Sequence, residues 1–392
     1  MKIYFFFIFV CLVTLIKSND FSFHFTRFVF SGLIIVIKVG KPVDTTLTHV
    51  SMENDFSYFE FTLLNGTRSK SAKIINESLN ISFYNIEKNI DVELREDIIS
   101  FPYFNGELNY SFYYMKKKKD FVFTSISLSH KFRDVKFSLI DQLFNNKYID
   151  KKRFGLYHIG KSSGEIFFGN YEKYLNYSNQ SFLYTINVNQ DDIRWSFKLN
   201  MIYFKNNTNM NLSINYLNSY YAYFNSAYLK IFVPKDFFNF LIEKFFKVKF
   251  EEESCYINDN YNHRYKQIIC KKMSDIPFEN LTIVIDGIGF DLGLNDLYEN
   301  WGFLTYFLLE FDTFNPNSWC LGTTFLLKYT TIFDYDSHTI TFYSDKKLDM
   351  INYKSIYFKY LFFIMKKYLI FSTSIINFMG ILLLIKIYNK MF

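Results

Sequence analysis

Cysteine, proline and glycine are all scarce in this chain: four, five and fourteen among 392 residues. No Cys/His spacing suits a zinc site, so a zinc-held module is excluded. Few glycines mark a departure from the ordinary all-β recipe, in which glycine serves turns and close backbone approaches. Dense basic patches are scarce too. Lys116–Lys119 is one such run, and it reads as a solvated loop. The formal charge of +6 is carried by the ends, because Lys2, Lys17, Lys359, Lys366, Lys367, Lys386 and Lys390 adjoin two apolar runs. Without those seven the chain has about 37 bases against 38 acids. A nearly neutral middle carries no nucleic-acid footprint. Short internal repeats are also missing.

Aromatic residues are abundant instead: 50 Phe and 32 Tyr, with half the chain hydrophobic. So broad a bias carries no information about ligand sites. The hydrophobic runs at the two ends do carry information. Lys2 followed by apolar Ile3–Ile16 and polar Lys17-Ser18-Asn19 reads as a signal peptide over 1–18. An uncleaved anchor helix is the alternative, and it too sends the chain into the secretory pathway. Residues 368–388 are long enough to cross a hydrocarbon core of about 30 Å. Lysines flank this run on both sides, so charge alone does not orient it. A cleaved signal does, leaving the bulk lumenal or extracellular and 389–392 as a short tail. The basic end fits a removed lipid-anchor signal poorly.

Asn-X-Ser/Thr triplets occur at Asn65, Asn76, Asn80, Asn109, Asn176, Asn179, Asn206, Asn211 and Asn280, outside both apolar runs. They are candidate glycosylation sites in such a compartment. Cys11 lies in the signal. Cys255 and Cys270 flank a polar, hairpin-like stretch and are expected to pair in an oxidising lumen. Cys320 sits in an apolar strand between Trp319 and Leu321 and reads as a buried free thiol.

Between the ends, short runs rich in Val, Ile, Phe, Tyr and Thr alternate with turn residues. Leu33–Val39, Ser57–Leu63, Phe121–Leu128, Ile193–Phe204 and Leu281–Ile285 read as strands. Phe137–Asn145 and Lys235–Lys247 read as helices, the second started by Pro234. The pattern predicts an all-β protein with a few short helices.

Three blocks carry a resemblance. The first is Trp319-Cys320-Leu321-Gly322-Thr323-Thr324-Phe325-Leu326, followed by Thr330-Thr331-Ile332-Phe333-Asp334 and Ile340-Thr341-Phe342. The second is Phe154-Gly155-Leu156-Tyr157, then Gly164-Glu165-Ile166-Phe167-Phe168-Gly169, then Trp195. The third is Ile276-Pro277 ahead of Leu281–Gly287. Together they resemble the pepsin-like aspartic proteases over most of Phe154–Tyr343. The resemblance implies a bilobal pepsin-like acid protease fold. Its N-terminal lobe would be 19–188 and its C-terminal lobe 189–350, with the boundary near Asn187–Asp192 and a juxtamembrane segment at 351–367.

That family uses two aspartates, one from each lobe, in loops of the form Asp-Thr/Ser-Gly-Thr/Ser. The pair shares one proton because two charges about 3 Å apart cannot both persist. One carboxylate activates water and the other polarises the peptide carbonyl. On the family's pattern, Asn225 stands at the second aspartate, with Ala227 for the glycine and Tyr228 for the hydroxyl residue. Counting on from the Val39-Gly40-Lys41-Pro42 turn places Ser51 at the first aspartate and Glu53 at its glycine. Phe83 takes the place of the flap tyrosine, or Tyr84 serves if the register shifts by one. Asp44 and Asp55 are the other candidate acids. Asp44 lies too close to the turn and lacks a following glycine.

No catalytic residue is therefore intact on this reading. It implies a membrane-anchored pseudoprotease whose cleft takes a peptide or protein partner, acting as a monomer at the cell surface or within the secretory pathway. An active endopeptidase with a divergent site is the alternative, and a structural spacer a third reading. No cofactor is implied, since the chemistry uses water and carboxylates.

Overall fold

The computed structural model describes residues 21–27, 32–41, 43–53, 56–60, 69–81, 90–102, 106–115, 124–132, 137–158, 163–170, 182–205, 212–214, 221–260, 265–272, 280–313 and 315–351. The expected signal peptide, the span at 368–388, Phe83, Tyr84, Asp55 and Pro277 lie outside these, as do Asn65, Asn176, Asn179, Asn206 and Asn211. Among the described residues no helix is long and apolar enough to cross a membrane. The described chain is mostly strand with a few short helices, as its alternation predicts. It divides into two compact units.

The first unit takes residues 1–197, 221–277 and 294–347. It contains a 13-stranded sheet. Leu33–Val39 is a strand because its β-branched residues alternate, burying Leu33, Ile35, Ile37 and Val39. It pairs antiparallel with Asp44–Ser51 across the turn at Gly40. The last residues of Asp44–Ser51 also pair, in parallel, with Ser125–Ser127. Ser51 thus ends a strand held on both sides.

The same unit repeats this local arrangement further along the chain. Tyr221–Phe224 pairs in parallel with Trp319–Leu321, matching Tyr223 to Cys320 and Phe224 to Leu321. The backbone N–H of Asn225, just beyond, donates to the Leu321 carbonyl at 3.1 Å. Gly322 follows because a Cβ there would lie 2.2 Å from the Lys230 carbonyl oxygen.

Trp195 is fully buried and anchors an aromatic core. Its indole N–H donates to the Leu128 carbonyl at 2.8 Å. Its ring lies 5.1 Å from Phe333 and 6.0 Å from Phe154, and those two stack at 4.7 Å. Phe224, just before Asn225, packs on Phe333 at 5.9 Å. The mid-chain and closing blocks of the sequence therefore meet in one core beneath the second loop.

The helices follow their start signals. Ser138 caps Leu139–Asn145 by accepting from the Asp141 N–H at 3.1 Å, which starts the helix one residue after the cap rather than at Phe137. Beyond Pro234 come Lys235–Leu241, a π-helical turn Ile242–Phe246 and Lys247–Glu251, carrying the helical run four residues past Lys247. Cys255 and Cys270 are bonded, directly opposite each other in the hairpin Cys255–Asn260/Tyr265–Cys270. Cys320 is free and buried.

The second unit takes residues 198–220, 278–293 and 348–392. Within it Asn280–Ile285 pairs antiparallel with Ile288–Gly293, extending the predicted Leu281–Ile285 by one residue. The Asn200 side-chain carbonyl accepts from the Gly287 N–H at 3.1 Å and fastens the turn between them.

Candidate functional site

Two loops of the first unit meet. The first leaves Asp44–Ser51 and continues through Met52 and Glu53, and all of Ser51, Met52 and Glu53 are buried. The second leaves Tyr221–Phe224 through Asn225 and Ser226, also buried, to half-buried Ala227 and Tyr228. The Ser226 hydroxyl donates to the Val50 carbonyl at 2.7 Å, and the Met52 N–H donates to the Asn225 side-chain oxygen at 3.4 Å. That oxygen also accepts from the Ala227 N–H at 3.0 Å. In the first loop the Ser51 hydroxyl accepts from the Glu53 N–H at 3.3 Å. Each loop therefore folds its polar residue back on the backbone two positions later.

Gly32 seals the second loop from beneath. The N–H groups of Gly32 and Leu33 donate to the Ala227 and Ser226 carbonyls at 3.2 and 2.7 Å. A Cβ on Gly32 would lie 2.0 Å from the Ser226 oxygen, so no larger residue fits.

The acid at this junction is Glu53. It is 1% exposed. Its Oε2 accepts from the Asn225 amide at 2.8 Å and its Oε1 from the Tyr223 hydroxyl at 3.2 Å. Burying a carboxyl without such donors costs on the order of several kcal/mol. An amide at 225 answers this need, because it has an N–H to give where a carboxylate has none.

The surroundings hold Tyr223 and Cys320 in their protonated forms. Burial pushes the Tyr223 phenol well up, Cys320, Glu53 and Tyr228 add to that, and Arg194 works against it. The Arg194 guanidinium lies 4.2 Å over the Tyr223 ring. Asp192 grips it through two hydrogen bonds of 3.0 and 2.9 Å. Burial pushes the Asp192 carboxyl up, but the hydrogen bonds and charge of Arg194 outweigh it and hold it below the usual range. Burial, with Glu53 second, pushes the Cys320 thiol well up, so Cys320 is no nucleophile. Beside it Tyr223, Phe232, Tyr228 and Tyr265 pack into an aromatic patch.

Of the residues singled out from sequence, the structure brings the loops of Ser51 and Asn225 together. Asp44 pairs with Val39 at the opposite end of its strand from Ser51. Of the candidate glycosylation sites, Asn76 and Asn80 lie on the strand Lys73–Ile81, Asn109 is exposed on Leu108–Met115 and Asn280 is half-buried. From sequence alone Glu53 reads only as a replacement for a glycine. An acid at a position of close backbone approach was the available signal, since such a side chain has to be buried with partners. Tyr223 and Arg194 carried no such signal. Among the described residues no group of three His, Cys, Asp or Glu side chains is placed to hold a metal ion.

The family model for eukaryotic aspartyl proteases matches residues 121–344, more than half of the chain. The match takes in Trp195, the Asn225 loop and the closing block, and it begins after Glu53. No curated protein matches the chain.

Proposed function

Because the chain belongs to the eukaryotic aspartyl protease family, we propose that it is a pepsin-like protein that has lost both catalytic aspartates and binds a peptide or protein partner in its interlobe cleft without cleaving it. The observation that carries this reading is the engagement of Glu53 with Asn225 and Tyr223 at 2.8 and 3.2 Å. The family's chemistry needs two carboxyls sharing one proton over an accessible water. Ser51 brings a hydroxyl and Asn225 an amide, and neither titrates in the acid range. The carboxyl that is present is buried and already bonded. Amide and hydroxyl groups still suit hydrogen bonding to a peptide backbone, so recognition survives where hydrolysis does not. On the same reading the protein enters the secretory pathway through 1–18 and is held by 368–388, with the folded part lumenal or extracellular.

Glu53 also favours a second reading, in which it acts as a lone divergent acid and the protein remains an endopeptidase. The test is turnover of a mixed peptide library by the full-length protein at roughly pH 3 to 6, the range in which the family's dyad works, with and without pepstatin. The expected result is peptide retention with no cleavage. Pepstatin-sensitive turnover lost on Glu53→Gln would establish the second reading. Turnover lost on changing Asp44 or Asp55 would place the first acid elsewhere.

A further inference from the structure

His130 and His338 share a hydrogen bond of 2.9 Å between His130 Nε2 and His338 Nδ1. They come from distant parts of the first unit. His130 follows the strand Ser125–Ser127 and is 4% exposed. His338 sits at φ 52 in the turn between Thr330–Asp334 and Thr339–Ser344. The other ring nitrogen of His130, Nδ1, donates to the Asp192 carbonyl at 3.2 Å. A carbonyl only accepts, so neutral His130 carries its proton on Nδ1. Its Nε2 is then the acceptor, and His338 donates.

Around this bond three segments are tied together. Lys131 N–H donates to the Ile193 carbonyl at 3.0 Å, Val188 N–H to the His338 carbonyl at 3.0 Å, and the Tyr335 hydroxyl to the Ser129 carbonyl at 3.0 Å. The His130 ring packs 4.8 Å from Trp195. We propose that the His130–His338 pair is an acid-sensitive latch, holding the 188–195 segment and the turn at 335–338 onto the segment at 128–131 at neutral pH and releasing them on acidification.

One proton can be taken up with the bond intact, since His130 then donates from Nε2 to a re-tautomerised His338. A second proton leaves two donors and two positive charges face to face, and the bond is lost. The groups around the pair set the balance. Burial holds His130 below the usual imidazole range, the Asp192 carbonyl bond opposes this, His338 and Lys131 add to it, and the Asp192 carboxylate opposes it. Arg194 neutralises that carboxylate, and on the turn Asp334 is paired with Arg153 at 3.2 Å while Asp336 is exposed. Asp192 also holds Arg194 over Tyr223, whose hydroxyl reaches Glu53. Release therefore loosens the residues beside the loop junction, whether or not that junction is catalytic.

Amide hydrogen exchange of the full-length protein, compared at neutral pH and about one to two units below the ordinary imidazole value, tests the latch once rates are corrected for intrinsic exchange. The expected result is a loss of protection of at least about tenfold at Lys131 and Val188, with no such loss along Leu33–Val39. His130→Gln keeps a donor and an acceptor but does not titrate, so its Lys131 and Val188 amides stay protected at both pH values. His338→Asn suits the left-handed turn and removes the neighbouring cation. It moves the opening to lower pH, and it decides the matter should His130→Gln fail to fold. Unchanged protection in the wild type, an equal loss in His130→Gln, or an unmoved transition in His338→Asn each overturns the proposal.

Discussion

The Asn225 amide donates a 2.8 Å hydrogen bond to the Glu53 carboxylate across 172 residues of sequence. This contact explains why the two unusual residues occur together. Glu53 is buried where the two loops meet, and it is tolerated because the opposite loop offers an N–H and Tyr223 an O–H. An ionised aspartate at 225 would have no hydrogen to donate.

Replacing the amide should therefore make stability depend on pH. In Asn225→Asp two carboxyls meet, and their repulsion raises the pKa at which the second proton leaves. A carboxyl raised in the folded state leaves stability intact at low pH and erodes it as pH rises. Relative to wild type, the variant should be little changed near pH 4 and lose about 2–4 kcal/mol by pH 7. Urea unfolding at the two pH values measures this, and an equal loss at both would contradict it. Glu53→Ala should cost about 1–3 kcal/mol at either pH, by leaving two buried donors without their acceptor.

Trp195 supports the second loop from its core side. Trp195→Phe keeps much of the packing but leaves the Leu128 carbonyl without the indole N–H. It should cost about 1–3 kcal/mol. Trp195→Ala also opens a cavity beside Phe333 and Phe154 and should cost about 3–5 kcal/mol. Thermal unfolding should rank the two in that order, and the reverse order would show that packing around the indole is loose.

The difference between these two sites is also the difference between what sequence could and could not show. The closing block is contiguous: Thr330–Asp334 and Thr339–Ser344 are neighbours in sequence and in the sheet. Pro234 and the apolar face after it mark a helix locally, and Cys255 and Cys270 bracket their own hairpin. Those signals lie within one or two elements. Glu53, Tyr223 and Asn225 acquire their roles only when two distant loops meet, and a single sequence does not state that pairing. Alternation likewise marks a strand such as Leu33–Val39 without telling that it also pairs with Ile90–Ser100. The π-helical turn at Ile242–Phe246 was hidden because helical periodicity continues on either side of it.

The cysteines give a chemical check on the packing. In the native protein Cys320 should resist alkylation, being buried, with its thiol held protonated. It should react only on unfolding, as mapped by mass spectrometry. Reducing the Cys255–Cys270 bond should lower stability by about 3 kcal/mol, the value for a loop of this length. Rapid labelling of Cys320 under native conditions would mean that the aromatic patch around it opens readily.

His158 should impose its own acid limit, separate from the His130 pair. Its Nε2 hydrogen-bonds the Leu326 carbonyl next to the closing block. Burial lowers its pKa to about 4, with the backbone bonds to Leu326 and Tyr329 opposing that shift. The unfolded chain takes up its proton near pH 6.5. Between those two values the unfolded state binds more protons, so stability falls as the pH falls. A shift of this size corresponds to about 3 kcal/mol, fully present above roughly pH 6.5 and lost progressively toward pH 4. His158→Gln retains a donor for the Leu326 carbonyl and has no proton to gain. Its unfolding free energy should therefore vary less between pH 7 and pH 4 than that of the wild type, by about this amount. Chemical denaturation across the range reads the difference directly, and parallel curves for the two proteins would show that His158 is already solvated in the native state.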